Sequence, residues 1–234
     1  NPYVIKTAEQ FARMISTASK NNYYVLGADL IFSDENTANS WFISSEVSAF
    51  AGTFDAKNYI ISGLYFNESV SSNLYTGLIP VANGATIKNI VLEDSSINMT
   101  TTSDQATYVG GIVGYVTGAT TISNCYVAED VVLSNKIADG IENIKTIVGG
   151  ILGGGQAPFV IDGCAFFGTM DFSEYRYGSV FGDMWSGTTV DRVIKNTVVD
   201  KYTPSSRWGF KGENNISTVA TVDLTDEDSS FTVV

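Results

Sequence analysis

The sequence has no histidine, two cysteines, four prolines and three tryptophans in 234 residues. Without imidazole there is no His-based triad, no HExxH zinc site and no histidine proton shuttle. Two cysteines cannot frame a disulfide-stapled scaffold or a four-cysteine zinc site. Bases are scarce too: Lys+Arg 13 against Asp+Glu 25 gives a net charge of −12. That argues against nucleic acid and anionic membranes as partners, since both need a basic face. No apolar run approaches the ~18–20 residues of a membrane-spanning helix, so membrane insertion is not expected. The Gly-rich run Gly150-Ile-Leu-Gly-Gly-Gly155 lacks a following Lys-Ser/Thr and opens no helical pattern, so phosphate-loop logic does not apply. The acidic tail Asp223-Leu-Thr-Asp-Glu-Asp228 lacks the spacing and the glycine of a calcium loop. No cofactor and no metal are therefore expected.

What is abundant is glycine, 22 residues, within a composition that is 44% hydrophobic and only 16% charged. A chain this long can bury a core without staples. It begins at Asn1 rather than Met and reads as a mature or excised segment. Its low lysine and plentiful Ser, Thr, Asn and Gly are typical of secreted bacterial surface modules, which places it outside the cell or on its surface.

One segment reads as helix. Thr7-Ala-Glu-Gln10 is a capping box, and Phe11, Met14, Ile15 and Ala18 follow on one face. Beyond it the helical period disappears and short β-type runs alternate with Gly, Asn, Ser and Thr. These runs repeat. Ile61-Ser-Gly-Leu64, Ile87-Lys-Asn-Ile90, Ile122-Ser-Asn-Cys125, Ile161-Asp-Gly-Cys164 and Val190-Asp-Arg-Val193 follow at intervals of 26, 35, 39 and 29 residues. A glycine-flanked piece precedes four of them: Gly77 to Gly84, Gly111 to Gly118, Gly150-Ile-Leu-Gly153 and Gly178-Ser-Val-Phe-Gly182.

A unit this short cannot bury its own apolar side and must stack on copies of itself. Each strand then pairs in parallel with its counterpart one coil on, about 4.8 Å away. The expected fold is an all-β parallel β-helix of about six to seven coils. Its glycines are expected at corners needing φ > 0, and Asn89 and Asn124 form a corner ladder. Ile87, Ile90, Leu92, Ile122, Cys125, Val127, Ile161, Cys164 and Phe166 point inward. Residues 1–20 form a capping helix with Phe11, Met14 and Ile15 over the first coil, 21–201 the coils, and 202–234 a C-terminal cap with a strand near 216–224.

The run Phe50-Ala-Gly-Thr-Phe-Asp55, Ile61-Ser-Gly-Leu-Tyr65, the pair Gly111-Ile-Val-Gly114 with Ile122-Ser-Asn-Cys-Tyr126, and Gly150-Ile-Leu-Gly153 resemble the GLUG-type repeats of bacterial cell-surface proteins. The resemblance covers roughly residues 50–195. It departs where Ala56-Lys57-Asn58-Tyr59 stands for Gly-x-Gly-His and where Pro80 replaces a repeat glycine. It implies a right-handed parallel β-helix at the cell surface. It implies no catalytic residue.

The candidate residues keep two readings each. Cys125 and Cys164 fall in one slot of adjacent coils, either as stacked buried thiols or as a bridge. Asp162 and Asp191 would pair outward as an acid/base or cation site, or simply solvate an acidic face. Tyr65 and Tyr126 fall in one outward column around Val91, while Tyr175, Arg176, Tyr177 and Trp185 cluster in the last third. These aromatics suit sugar rings or pack under loops. The preferred reading is a non-catalytic surface module, an adhesin or binding platform for glycan or for a host or surface protein, with further domains in the same polypeptide. A polysaccharide lyase or hydrolase and a spacer without ligand are the alternatives.

Overall fold

In the computed structural model, described over residues 1–17, 22–32, 43–44, 49–142, 145–172, 176–183, 192–200 and 219–222, the chain is a parallel β-helix. Each complete coil carries five short strands, one in each of five sheets. The first sheet stacks Tyr3–Ile5, Tyr23–Leu26, Thr53–Asp55, Thr86–Lys88, Thr120–Ser123, Phe159–Asp162 and Arg192–Lys195. The second stacks Leu30–Ile31, Ile60–Ser62, Val91–Leu92, Tyr126–Val127, Ala165–Phe166, Thr197–Asp200 and Val219–Val222. The third holds Tyr65–Val70, Ser96–Thr101, Val132–Ile137 and Thr169–Phe172. The fourth runs Ile43–Ser44, Leu74–Thr76, Thr107–Gly110, Thr146–Gly149 and Arg176–Gly178, with the first of these antiparallel. The fifth holds Ile79–Asn83, Val113–Gly118, Leu152–Gly155 and Phe181–Asp183. The first two sheets are seven layers deep, and the coils starting at Thr53, Thr86, Thr120 and Phe159 have all five strands.

Inward residues stack into columns. Phe54, Ile87, Ile122, Ile161 and Ile194 share one register, at intervals of 33, 35, 39 and 33 residues. Ile61, Leu92, Val127, Phe166 and Val199 share the next. Nearly all are fully buried. These registers correct two placements read from the sequence. Ile61 aligns with Leu92 rather than Ile87, and the fifth copy is Ile194-Lys-Asn196, not Val190-Asp-Arg-Val193. The cause is a shared corner signature. Asn89 has φ 58° and Gly63 has φ 72°, so both Ile87-Lys-Asn-Ile90 and Ile61-Ser-Gly-Leu64 turn through one left-handed residue, at two different corners of the coil.

The helix Ala8–Thr17 covers the N-terminal end. The Thr7 hydroxyl accepts from Gln10 N (3.3 Å), and Gln10 Oε1 accepts from Lys6 N (2.7 Å). Phe11, Met14 and Ile15 are buried, and Phe11 stands edge-on to Phe32 and Phe54. Ala18 lies outside the described residues. The strand Tyr3–Ile5 precedes the helix and pairs with Tyr23–Leu26, so the described residues 1–17 hold a strand as well as the helix. In the stretch assigned to a C-terminal cap, Val219–Val222 pairs in parallel with Thr197–Asp200 and extends the second sheet by a layer.

The glycines divide into two groups. Gly63 and Gly163 have positive φ, as expected of corners. The glycines of the repeated Gly-Gly-φ-φ-Gly piece (φ apolar) do not. A Cβ on Gly110 would lie 1.9 Å from the Val113 carbonyl oxygen, and one on Gly114 2.5 Å from that of Pro80. They are required because backbone packs on backbone where the fourth and fifth sheets meet. The corner reading of these glycines is thus corrected to close approach.

Candidate functional site

The bend between the fourth and fifth sheets builds an outward concavity with aromatic walls. Outward positions on the fourth sheet align as Tyr75, Tyr108, Ile147 and Arg176. On the fifth, Val81 aligns with Tyr115. Because the two sheets fold toward each other across Gly110 and Gly114, the outward side chains converge. Tyr75 lies 4.3 Å from Tyr115 and 5.3 Å from Tyr108 between ring centroids, and Tyr108 lies 4.8 Å from Tyr115. With Val81 and Ile147 they form a second apolar cluster outside the main core.

Above this cluster lies a cavity of about 400 Å3, within the range of small-ligand sites, about 300–1,000 Å3. The three tyrosines and Ala106 line it together with Asn73, Gln105, Lys145 and Gln156. The loops that enter the fourth sheet carry most of this rim, and hydrogen bonds tie them together. Asn73 Oδ1 accepts from Ala106 N (2.8 Å), Gln105 Nε2 donates to Asp104 Oδ1 (2.8 Å), and Lys145 Nζ donates to the Asp104 carbonyl (3.0 Å). No Asp or Glu side chain lines the cavity among the described residues.

A buried polar network holds the tyrosine strand from behind. Asn135, Thr107 and Thr101 are all fully buried. Asn135 Nδ2 donates to the carbonyls of Thr107 (2.9 Å) and Ile147 (3.1 Å), and its Oδ1 accepts from the Thr107 hydroxyl (3.0 Å). The Thr101 and Thr107 hydroxyls are 2.6 Å apart. A buried amide that satisfies both carbonyls fixes the approach of the third sheet to the fourth.

The residues singled out from the sequence lie elsewhere. Tyr126 shares its column with Val91, Ile60 and Ala165, whereas Tyr65 aligns with Ser96 on the third sheet, so the two are not one outward column. The reason is the confusion of corners above: Tyr65 follows the second corner and Tyr126 the first. Tyr65 is exposed and donates its hydroxyl to Asp94 Oδ1 (2.7 Å). Tyr126 packs edge-on to Phe167, and burial, with Glu129, Glu93 and Asp130 nearby, raises its hydroxyl above the ordinary tyrosine value. Tyr177 stacks on Phe172 at 3.9 Å, half-buried against the core. Arg176 continues the column of Tyr75 and Tyr108 two coils on. Tyr175 and Trp185 lie outside the described residues.

Cys125 and Cys164 are free, buried thiols in adjacent coils, between the pairs Ser123–Asp162 and Tyr126–Ala165. Burial, reinforced by Cys164, pushes the Cys125 thiol well above its ordinary value. Of the carboxylates expected to pair, Asp162 and Asp191, the structure describes Asp162. Asp162 registers with Lys195 and pairs with its Nζ at 3.0 Å, and Asn196 Nδ2 donates to Asp162 Oδ1 at 2.9 Å. Asp191 lies outside the described residues. The same bracket recurs earlier: Asp55 meets Lys88 Nζ at 3.5 Å and Asn89 Nδ2 at 2.8 Å. Asn124 Nδ2 donates on to Asn89 Oδ1 at 3.4 Å, which makes the corner ladder. The next slot is Gly163, where a Cβ would lie 2.6 Å from Asn124 Oδ1, and the slot after it is Asn196 rather than Arg192.

Residues 105–132 match the model of the GLUG motif. The chain carries a GLUG motif. In this molecule the GLUG segment runs from the cavity rim at Gln105, through Tyr108, the Gly110–Gly114 bend and Tyr115, to the Asn124 corner and Cys125. Its glycines are those that bring the two sheets into contact. Among solved structures, the chain is similar to a protein from Bacteroides ovatus described as a "putative immunoglobulin A1 protease", with 17% identity over 94% of this chain and 84% of that one and a TM-score of 0.40. No curated protein sequence matches the chain.

Tyr75, Tyr108 and Tyr115 are the site residues that sequence reading missed. A signal was there. Tyr75-Thr-Gly77, Tyr108-Val-Gly110, Ile147-Val-Gly149 and Arg176-Tyr-Gly178 repeat one outward position two residues before a repeat glycine.

Proposed function

We propose that the chain is a non-catalytic extracellular module that binds glycan in the tyrosine-lined cavity. The observation that carries this reading is the convergence of Tyr75, Tyr108 and Tyr115 under a rim of amides and one ammonium. Aromatic rings with a polar tip, beside side chains that both donate and accept, suit a ligand that is apolar on one side and covered in hydroxyls on the other. The rings are packed on one another before any ligand arrives, so little side-chain entropy is lost on binding. The GLUG motif and the Ser/Thr/Asn-rich composition favour an extracellular setting. Such a module acts as an adhesin or as the binding part of a larger surface protein. Against the lyase alternative counts that Asp162 stands beside Lys195 and Asn196.

A glycan array tests the reading with the wild type, Tyr108→Ala and Tyr126→Ala. Saturable binding that falls at least tenfold in Tyr108→Ala and persists in Tyr126→Ala supports it. The absence of any binder, or loss only in Tyr126→Ala, rejects it. Near-native circular dichroism of each variant keeps misfolding from being mistaken for lost binding.

A further inference from the structure

We infer that the cavity takes an uncharged oligosaccharide at least two units long, laid obliquely across the tyrosines from Asn73 to Gln156. This rests on the reading of the cavity as a glycan site. Asn73 and Gln156 line the cavity at opposite ends. Asn73 leads into Leu74–Thr76 on the fourth sheet, and Gln156 follows Leu152–Gly155 on the fifth. They belong to the first and third of three successive coils, with Tyr108 and Tyr115 in the second. Two coil steps are about 10 Å along the axis, more than one pyranose ring spans. In the third coil Gly154 stands where the second has Tyr115. No ring follows Tyr115 there, and the next residue of the same outward parity is Gln156.

Both amides have polar groups to offer. A backbone N–H can only donate, so the bond from Ala106 N holds Oδ1 of Asn73 and leaves its Nδ2, whose two N–H have no acceptor among the described residues. The Gln156 backbone is pinned, since its N donates to the Val116 carbonyl at 3.1 Å. Its side chain is exposed and makes no hydrogen bond among the described residues. Carboxamides that donate and accept suit hydroxyls, which do both, and carry no charge. The charges nearby come with partners of the other sign. Lys145 Nζ is bound to the Asp104 carbonyl at 3.0 Å, and Glu142 precedes it in the chain. One coil beyond Gln156, Arg176 and Asp183 hold corresponding register positions on the two sheets. With a net charge of −12 on the whole protein, an anionic sugar gains no attraction from this groove.

The test is calorimetric titration of the whole chain with β-1,4-linked glucose and β-1,4-linked N-acetylglucosamine, each from one to four units, and with an oligogalacturonide as the acidic probe. In at least one neutral series affinity is expected to rise about tenfold from one unit to the two or three that reach both amides, the worth of one or two hydrogen bonds, and to flatten beyond. Added salt is expected to leave that series unchanged. Gln156→Ala and Asn73→Ala are each expected to remove the rise and to leave binding of the single unit as it was. Gln156→Ala reads recognition rather than folding, because that side chain holds no other described part of the protein. A single unit that binds as tightly as four, or an oligogalacturonide that binds more tightly than either neutral series, overturns the inference and leaves the glycan reading standing. If neither neutral series binds, the inference falls, and the array with Tyr108→Ala decides the glycan reading by itself.

Discussion

Tyr108 and Tyr115 stand on strands of different sheets, yet their rings meet outside the coil with centroids 4.8 Å apart at 65°. Outward side chains on neighbouring sheets of a solenoid normally diverge. They converge here because the sheets fold toward each other at the Gly-Gly-Ile-Val-Gly run from Gly110 to Gly114. Gly110→Ala places a Cβ 1.9 Å from a backbone oxygen that has no rotamer to yield. The expected cost is about 3 kcal/mol in urea unfolding, with the near-ultraviolet tyrosine signal changed in what remains folded. Unchanged stability and an unchanged signal would mean that the bend does not depend on that contact.

Asn135→Leu removes the amide that serves the carbonyls of Thr107 and Ile147. Both acceptors then stay buried without this donor, at about 1–3 kcal/mol each. Chemical denaturation should show a loss of roughly 2–4 kcal/mol, and glycan affinity should fall with it, because Thr107 adjoins Tyr108. A loss below about 0.5 kcal/mol would assign the network no structural weight.

Asp55 and Asp162 contribute to the acid limb of stability. Burial is the largest influence on Asp55 and pushes its carboxyl up, but the Asn89 amide, the Lys57 N–H and the Lys88 and Lys57 ammoniums outweigh it. Its value therefore lies below the ordinary carboxylate range. The Asn196 hydrogen bond, with Lys195, lowers that of Asp162. A carboxyl with a depressed folded value contributes fully above the unfolded value of about 3.9 and loses that contribution as pH falls through the folded one. The urea midpoint should thus hold from pH 7 to about 5 and drop below about pH 4. Asp55→Asn should lower the midpoint at pH 7 and make the acid drop shallower. An identical pH profile in the variant would show that Asp55 is not a source of the acid limb.

Cys125 and Cys164 are buried with thiols, and the Cys125 thiol is pushed up, so neither should be reactive while the coil is intact. Alkylation at pH 8 should label neither residue in the folded protein and both after denaturation without reductant. Fewer than two titratable thiols after denaturation would establish a bridge instead.

Phe11 is the helix residue that seals the first coil, edge-on to Phe32 and Phe54. Phe11→Ala should cost about 3–5 kcal/mol, and hydrogen exchange should accelerate first in Tyr23–Leu26 and Thr53–Asp55. Uniform acceleration along the solenoid would deny the helix a local capping role.

The repeat, the inward columns and the capping face of the helix were legible in the sequence because each follows from period and patterning. Cys125 and Cys164 could be aligned because Ile122-Ser-Asn-Cys125 and Ile161-Asp-Gly-Cys164 turn the same corner. The register of the flanking copies was not legible. One left-handed residue between apolar neighbours turns two different corners, and only the backbone pairing separates Gly63 from Asn89. The site was not legible for a related reason. Whether an outward tyrosine stands in open solvent or in a concavity depends on the direction in which two sheets bend. That direction is set by the glycines at 110 and 114, whose role read as a turn and proved to be contact between backbones.

The most direct test of the account is a nuclear magnetic resonance titration of the tyrosine-labelled protein with the sugar bound most tightly on the glycan array. The account predicts saturable shifts confined to the ring signals of Tyr75, Tyr108 and Tyr115, with Tyr65 and Tyr126 unmoved. Shifts centred on Tyr65 or Tyr126, or no shift at saturating sugar, would contradict it.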